Sequence, residues 1–203
     1  MNGKKYAENI SQLALANVDF DMQNRHHISY NLMMIHANTQ SVGDYNGKNS
    51  IFSDDYENLG FTRRQQTNDN MLIVNQLMTN WGLTKSLSLD AGASYNMVKG
   101  YEPDRRINNL TKAEDGYTLL RGNSQQRYFS TLDEDDLNVK AGLVYRLKDN
   151  IEEISNVRFG YTGRFVDDNF KATEYNLTVG HISVIPSLDD FSLDDYYNQE
   201  NFA

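Results

Sequence analysis

The residues best equipped to recognise a ligand cluster between Glu102 and Asp136. Arg105, Arg106, Arg121 and Arg127 lie there among Tyr101, Tyr117, Tyr128 and Phe129. Guanidinium forks hold carboxylates and other anions through paired hydrogen bonds, and aromatic rings stack on sugars and cations. Tyr101, Arg105, Arg106, Tyr117, Arg121 and Arg127 are therefore the candidate ligand-binding residues, with sugars, peptides and anions as the ligand classes. The competing reading is a solvated loop in which Arg105 and Arg106 pair with Glu102 or Asp104, at about 0–1 kcal/mol per pair.

Acidic residues gather in two further places. Asp133-Glu134-Asp135-Asp136 offers hard oxygen ligands for Ca²⁺, but its spacing is not that of an EF-hand and it contains no glycine; a solvated loop is the simpler expectation. Ser187-Leu188-Asp189-Asp190-Phe191 is echoed at once by Ser192-Leu193-Asp194-Asp195-Tyr196, and no Lys or Arg follows Lys171. Residues 182–203 thus read as an acidic tail or a truncated loop. His26, His27, His36 and His181 have no metal-ligand spacing, and no nucleophile elbow or phosphate loop is present. The expectation is a chain with no catalytic residues, no metal and no cofactor.

Composition narrows the partners. The chain has 203 residues and a net charge of −9, with 13 Tyr, 2 Pro and no Cys; its pI is about 4.8 and its mean hydropathy is well below zero. An acidic chain without a basic stripe is not expected to bind nucleic acid. Absent cysteine excludes disulfides and thiolate metal sites. No apolar run approaches the roughly 18 residues of a membrane-spanning helix, and Met1-Asn2-Gly3-Lys4-Lys5 leads into no apolar signal region.

What must position these residues is a set of β-strands. From Leu87 to Met97 the chain alternates without a miss: Leu87, Leu89, Ala91, Ala93, Tyr95 and Met97 against Ser86, Ser88, Asp90, Gly92, Ser94 and Asn96. Period two is the signature of a strand. Its length matches the roughly 9–11 residues with which a strand crosses a bilayer. The same pattern recurs over Gln12–Met22, from Ile28 to Met34, over Leu137–Leu147 and over Val157–Phe165, the last continuing toward Leu177 or returning as another strand. Met71–Trp81 is a further strand, apolar on both faces in its first half.

The links alternate in length. Short turns are expected at residues 23–26, 82–85 and 148–150, and long polar connections at 43–62 and 102–136. Tight turns on one side and large loops on the other characterise outer-membrane barrels. The expected fold is therefore all-β: an antiparallel up-and-down meander of about six to eight strands over 1–203, forming a partial barrel wall. Trp81 and Tyr145, both beside short turns, suit an interfacial aromatic girdle. The alternative is a self-contained soluble β-sandwich or small barrel that binds carbohydrate or peptide, since soluble antiparallel sheets also alternate.

Residues 95–110, from Tyr95-Asn96-Met97-Val98-Lys99-Gly100-Tyr101 to Asn108-Asn109-Leu110, resemble barrel segments of the TonB-dependent outer-membrane receptors of Bacteroidetes. Asn156–Phe165 is similar in style. The resemblance implies a ligand-gated import channel in the bacterial outer membrane, with a barrel of about 22 strands around an internal plug. It also implies outer-membrane lipid as surroundings, a small nutrient (glycan, peptide or chelate) as cargo of the full-length protein, and a surface lipoprotein as candidate partner. The chain shows no plug, no TonB-contact segment and no alternating terminal strand, so it reads as a piece of such a receptor. Six strands with two open edges should self-associate or curl until their apolar faces meet.

Overall fold

The computed structural model describes residues 2–22, 25–48, 59–119, 125–150, 153–178 and 184–185. Among these, all regular structure is strand. The strands are β1 (Asn2–Met22), β2 (His26–Lys48), β3 (Leu59–Gly82), β4 (Leu87–Ala113), β5 (Gly116–Leu119), β6 (Gln125–Asn150), β7 (Glu153–Leu177) and β8 (Val184–Ile185). They form one antiparallel sheet in which β1, β2, β3, β4, β6 and β7 lie side by side, while β5 pairs with the far end of β4 and β8 with β5. The up-and-down meander expected from the alternation is present. The sheet is not closed: among the described residues β1 pairs only with β2, and β7 only with β6.

Each long strand outruns the sequence expectation, with lengths of 21 to 27 residues. The links at 23–25, 83–86 and 151–152 fall at one end of the sheet, and those at 49–58 and 114–124 at the other. The alternation of short and long links therefore holds. The long connections shrink, however, because pairing continues through them. Residues 102–113 belong to β4 and 125–136 to β6, and Gln126–Asp136 stay paired with Val166–Asn176. Local pattern is weak there, since polar residues occupy both faces, so the ladder itself extends the strands.

Register assigns every side chain to a face. Ala14, Met34, Ile73 and Met97 share one rung, and Ala16, Leu32, Asn75, Tyr95, Leu137 and Phe165 the next. Val18, Tyr30, Leu77, Ala93, Val139 and Gly163 follow, then Phe20, Ile28, Thr79, Ala91, Ala141 and Tyr161, and then Met22, His26, Trp81, Leu89, Leu143 and Phe159. One face thus carries an apolar band across six strands. Two of its polar pairs close within the sheet: Tyr30 donates its hydroxyl to Asn75 at 2.9 Å, and Thr79 donates to the His27 carbonyl at 2.9 Å.

The band is exposed. Val18 is 63 % accessible, Leu77 50 % and Phe159 81 %, whereas the buried apolar residues among those described are Phe61, Leu110 and Leu119 alone. These three share a rung at the far end, where β3, β4 and β5 meet. Nearly all the apolar surface is therefore arranged as a face and very little as a core.

The opposite face is the polar one, and the sheet curls toward it. On β4, Ala93, Tyr95, Lys99 and Tyr101 are exposed, while their neighbours Ser94, Asn96, Val98 and Gly100 on the other face are half-buried. Its central rung is polar on all six strands: Asn17, Asn31, Gln76, Ser94, Asn138 and Arg164. Asn17 donates to Asn31 at 2.6 Å, and Asn31 to Gln76 at 3.4 Å. The two rungs beyond it turn apolar on β1 to β3, with Leu15, Met33 and Val74 on one and Leu13, Ile35 and Leu72 on the other.

Two devices shape the far end. Between Glu102↔Ser130 and Arg105↔Tyr128 the ladder shifts, leaving Pro103 and Asp104 of β4 against Phe129 of β6. Proline has no N–H to contribute, so a bulge is where a strand tolerates it. Further on, β4 changes partner from β6, last paired at Ile107↔Gln126, to β5, first paired at Leu110↔Leu119. The fully buried Gln125 side chain sits at this exchange, donating to the Asn109 carbonyl at 2.7 Å and accepting from its N–H at 3.1 Å. Its amide acts as a one-residue strand partner. Gln125→Ala should cost about 1–3 kcal/mol, the range for leaving buried polar groups without partners. Hydrogen exchange at the Asn109 amide should speed up, while exchange over Leu89–Tyr95 stays unchanged.

Candidate functional site

The concave polar face holds a groove of about 510 Å³ lined from four strands: Gln76 and Met78 of β3, Gly92 and Ser94 of β4, Asn138 and Lys140 of β6, and Thr162 and Arg164 of β7. Strand alternation places these residues on one face, and small residues make the hollow. A Cβ at Gly92 would stand 2.9 Å from Lys140 Cε, so the lysine stem lies across the glycine. At Gly160, one rung nearer the short turns, a Cβ would stand 2.8 Å from the Ala141 carbonyl oxygen, and no side chain fits without moving β6.

Groove-side polar groups are held in place. Arg164 donates through Nε to Asp136 at 3.1 Å, and Asn138 donates to the same oxygen at 3.0 Å. The lining thus presents amides, hydroxyls and two cationic side chains, with one of the cations tied to a carboxylate. Such a surface hydrogen-bonds water and polar solutes. Sequence reasoning placed Lys140, Thr162 and Arg164 on a polar strand face but did not see that they converge. The usable signal was Gly92, Gly142 and Gly160 on that same face.

The arginine and tyrosine candidates do not converge. Tyr101 lies on the same face as the apolar band, half-exposed. Arg106 and Arg127 are directly opposite each other on that face. Asp104, beside the bulge, bridges them: Arg106 Nε donates at 2.5 Å, Arg127 Nε at 3.0 Å and Arg127 Nη2 at 2.6 Å. The guanidinium of Arg127 also lies 5.5 Å from the Phe129 ring centroid. Arg105 occupies the opposite face, 4.1 Å over the Tyr128 ring and 3.8 Å from Glu102. Tyr117 packs near Phe61, ring centroids 6.2 Å apart. Arg121 lies outside the described residues, as do residues 186–203 with their acidic echo.

The acidic run Asp133–Asp136 lies on β6 and not in a loop. Period two sends Asp133 and Asp135 to one face and Glu134 and Asp136 to the other, so the four carboxylates do not converge on one cation. Asp135 instead accepts from the Tyr95 hydroxyl at 2.8 Å. Trp81 and Tyr145 both stand on the apolar face at the short-turn end, Trp81 against His26 with ring centroids 4.5 Å apart. No family model matches the chain, and no curated protein matches it.

Burial alone would raise the Asp104 carboxyl, but hydrogen bonds from Arg127 and Arg106 outweigh it and hold the group below the usual carboxylate range. A carboxyl that titrates lower in the folded than in the unfolded state stabilises fully above its unfolded value of about 4. That contribution is lost as pH falls through the folded value. Asp104→Asn should remove this acid-limb dependence in a pH series of melting curves. It should also leave Arg106 and Arg127 facing each other, at a cost of about 0.2–1 kcal/mol.

Proposed function

We propose that this chain is a wall segment of a bacterial outer-membrane β-barrel, serving in a TonB-dependent type of nutrient receptor. The observation that carries the barrel reading is the exposed apolar band, bounded at both ends on one face of the sheet. From Leu87 to Met97 it spans ten residue steps, or about 33 Å along the strand. Strands tilted about 35–45° would make that roughly 25 Å in height, the apolar belt of a transmembrane barrel.

The band also runs oblique to the rungs. The rung of Ala14, Met34, Ile73 and Met97 continues into Asp135 and Asp167 on β6 and β7. On those strands the apolar run begins one rung lower, at Leu137 and Phe165, and reaches Tyr145 and Val157. Strands that cross a membrane at a slant require this offset. Beyond the band the same face turns polar and charged, with His36 hydrogen-bonded to Asp69 at 2.5 Å and Arg63 paired with Asp44 at 2.8 Å. At the β1–β2 and β3–β4 turns the band stops within a residue or two of the turn, whereas on β6 and β7 it ends at Tyr145 and Val157, several residues before the link at 151–152.

In this reading the polar groove faces a water-filled lumen, and the long hairpins project outward toward ligand. The receptor role extends the resemblance of residues 95–110 and 156–165. Since barrels close with eight or more strands, the open edges at β1 and β7 join further strands. A soluble β-domain remains the second reading. It is favoured by Leu13, Leu15, Met33, Ile35, Leu72 and Val74 on the concave face, which a second layer would cover.

Trp81, the sole tryptophan, separates the two. In lipid vesicles its fluorescence should be quenched by lipids brominated near the headgroup more than by those brominated near the bilayer centre. A soluble domain shows no quenching at either depth. Ala93→Arg, at mid-band, should destabilise the bilayer-inserted protein by about 2–4 kcal/mol, while Ser94→Arg on the polar face changes it little.

A further inference from the structure

The outermost strands, β1 and β7, are 21 and 25 residues long, and among the described residues no strand pairs with their outer edges. Neither contains proline, and the ladders behind residues 2–22 and 156–177 run without a shift. Sheets commonly blunt such edges with prolines, bulges or very short strands; these two are uninterrupted templates for a further strand. Their side chains are open as well: β1 is exposed from Asn2 to Asp21, and β7 from Ser155 to Asn176 except at Gly163. Every neighbouring pair from β1 across to β7 is antiparallel, so β7 runs antiparallel to β1. It can therefore pair with the β1 of another molecule while both faces of the sheet stay in line.

One register matches the two edges in two separate ways. With Asp21 opposite Arg158, Glu8 falls opposite Lys171 and Lys5 opposite Glu174, and no like charges meet. Any other antiparallel register that keeps the faces in line offers at most one such opposite-charge pair. The same register sets residues 14–22 of β1 against 157–165 of β7. The apolar band then crosses the seam, with Phe20 against Phe159 and Val18 against Tyr161, and its limits coincide on the two strands. Opposite charges and aromatic or β-branched pairs directly across strands each favour pairing. Lys5, Glu8, Arg158 and Lys171 have no side-chain partner among the described residues, while Asp21 lies 2.8 Å from His27 and Glu174 accepts from Asn176 at 3.4 Å. We infer that β7 of one molecule pairs in this register, head to tail, with β1 of a second copy of this chain. Within one molecule the two edges stay apart. The inference rests on the edges alone and holds whether the apolar band meets lipid or a second layer.

Mixing two singly substituted proteins tests it, since the chain has no cysteine of its own. Across the seam Ala7 and Ala172 stand directly opposite, both on the polar face, with Cα atoms about 4.5–5.5 Å apart and so within disulfide reach. Folded full-chain Ala7→Cys and Ala172→Cys proteins, mixed and mildly oxidised, should give as main product a disulfide-linked dimer carrying one of each. Asn9→Cys, two residues out of register, should give far less with Ala172→Cys. Glu8→Lys should weaken self-association several-fold in sedimentation, and Glu8→Lys, Lys171→Glu should restore it, with the circular dichroism of both unchanged. Thiols that react freely with maleimide in the mixture yet form no mixed dimer overturn the proposal. So does Asn9→Cys linking as well as Ala7→Cys, or a charge reversal that the second substitution fails to restore.

Discussion

A β-ladder gives each side chain two choices of face, and in this sheet the choice made on one strand binds all the others. Hydrogen-bonded pairing runs across β1, β2, β3, β4, β6 and β7 with few shifts. A slip of one residue at any interface would turn a whole strand's apolar set to the wrong side. The apolar band, the polar central rung and the groove are therefore one feature seen from two sides. Each exists because Leu87–Met97 keeps its parity and hands it to its neighbours.

That constraint also explains how the fold handles its surface. A chain whose buried apolar residues are Phe61, Leu110 and Leu119, among those described, gains little from a conventional core. Its apolar side chains are instead displayed, in a continuous strip whose polar members Asn75 and Thr79 find partners inside the sheet. Unpaired polar groups would be costly in hydrocarbon, so the pairing of Asn75 and Thr79 supports the lipid-facing surface proposed for the band. Ion pairs take over on the same face once the strip ends.

Much of this was legible in the sequence, because alternation is local. The strands at Leu87–Met97 and Leu137–Leu147 declare their faces residue by residue, and so does the order of short and long links. What could not be read depends on distant partners. Residues 102–113 and 125–136 look like loop because polar residues fill both faces; they are strand because neighbouring strands hold them. Pro103 argues against a strand until the bulge is seen. That bulge also inverts parity. Counting on from Leu87 puts Arg105 with Tyr101 and Arg106 on the other side, whereas the shifted ladder places Arg106 with Tyr101 and Arg127 and turns Arg105 over to Tyr128. Adjacent strand residues face opposite sides, so Arg105 and Arg106 part in either register; the extra residue decides which of them joins Tyr101. The groove at Gly92 and Lys140 was hidden for a related reason, since convergence across four strands has no local trace beyond the glycines.

The chain has no cysteine, which makes the central claim directly measurable. Single cysteines placed one at a time from Ser88 to Asn96 can be reacted with a membrane-impermeant maleimide in the bilayer-embedded protein. Positions 88, 90, 92, 94 and 96 should label through the lumen, while 89, 91, 93 and 95 stay protected by lipid. Equal labelling of both parities, or protection of the even positions, would contradict the account.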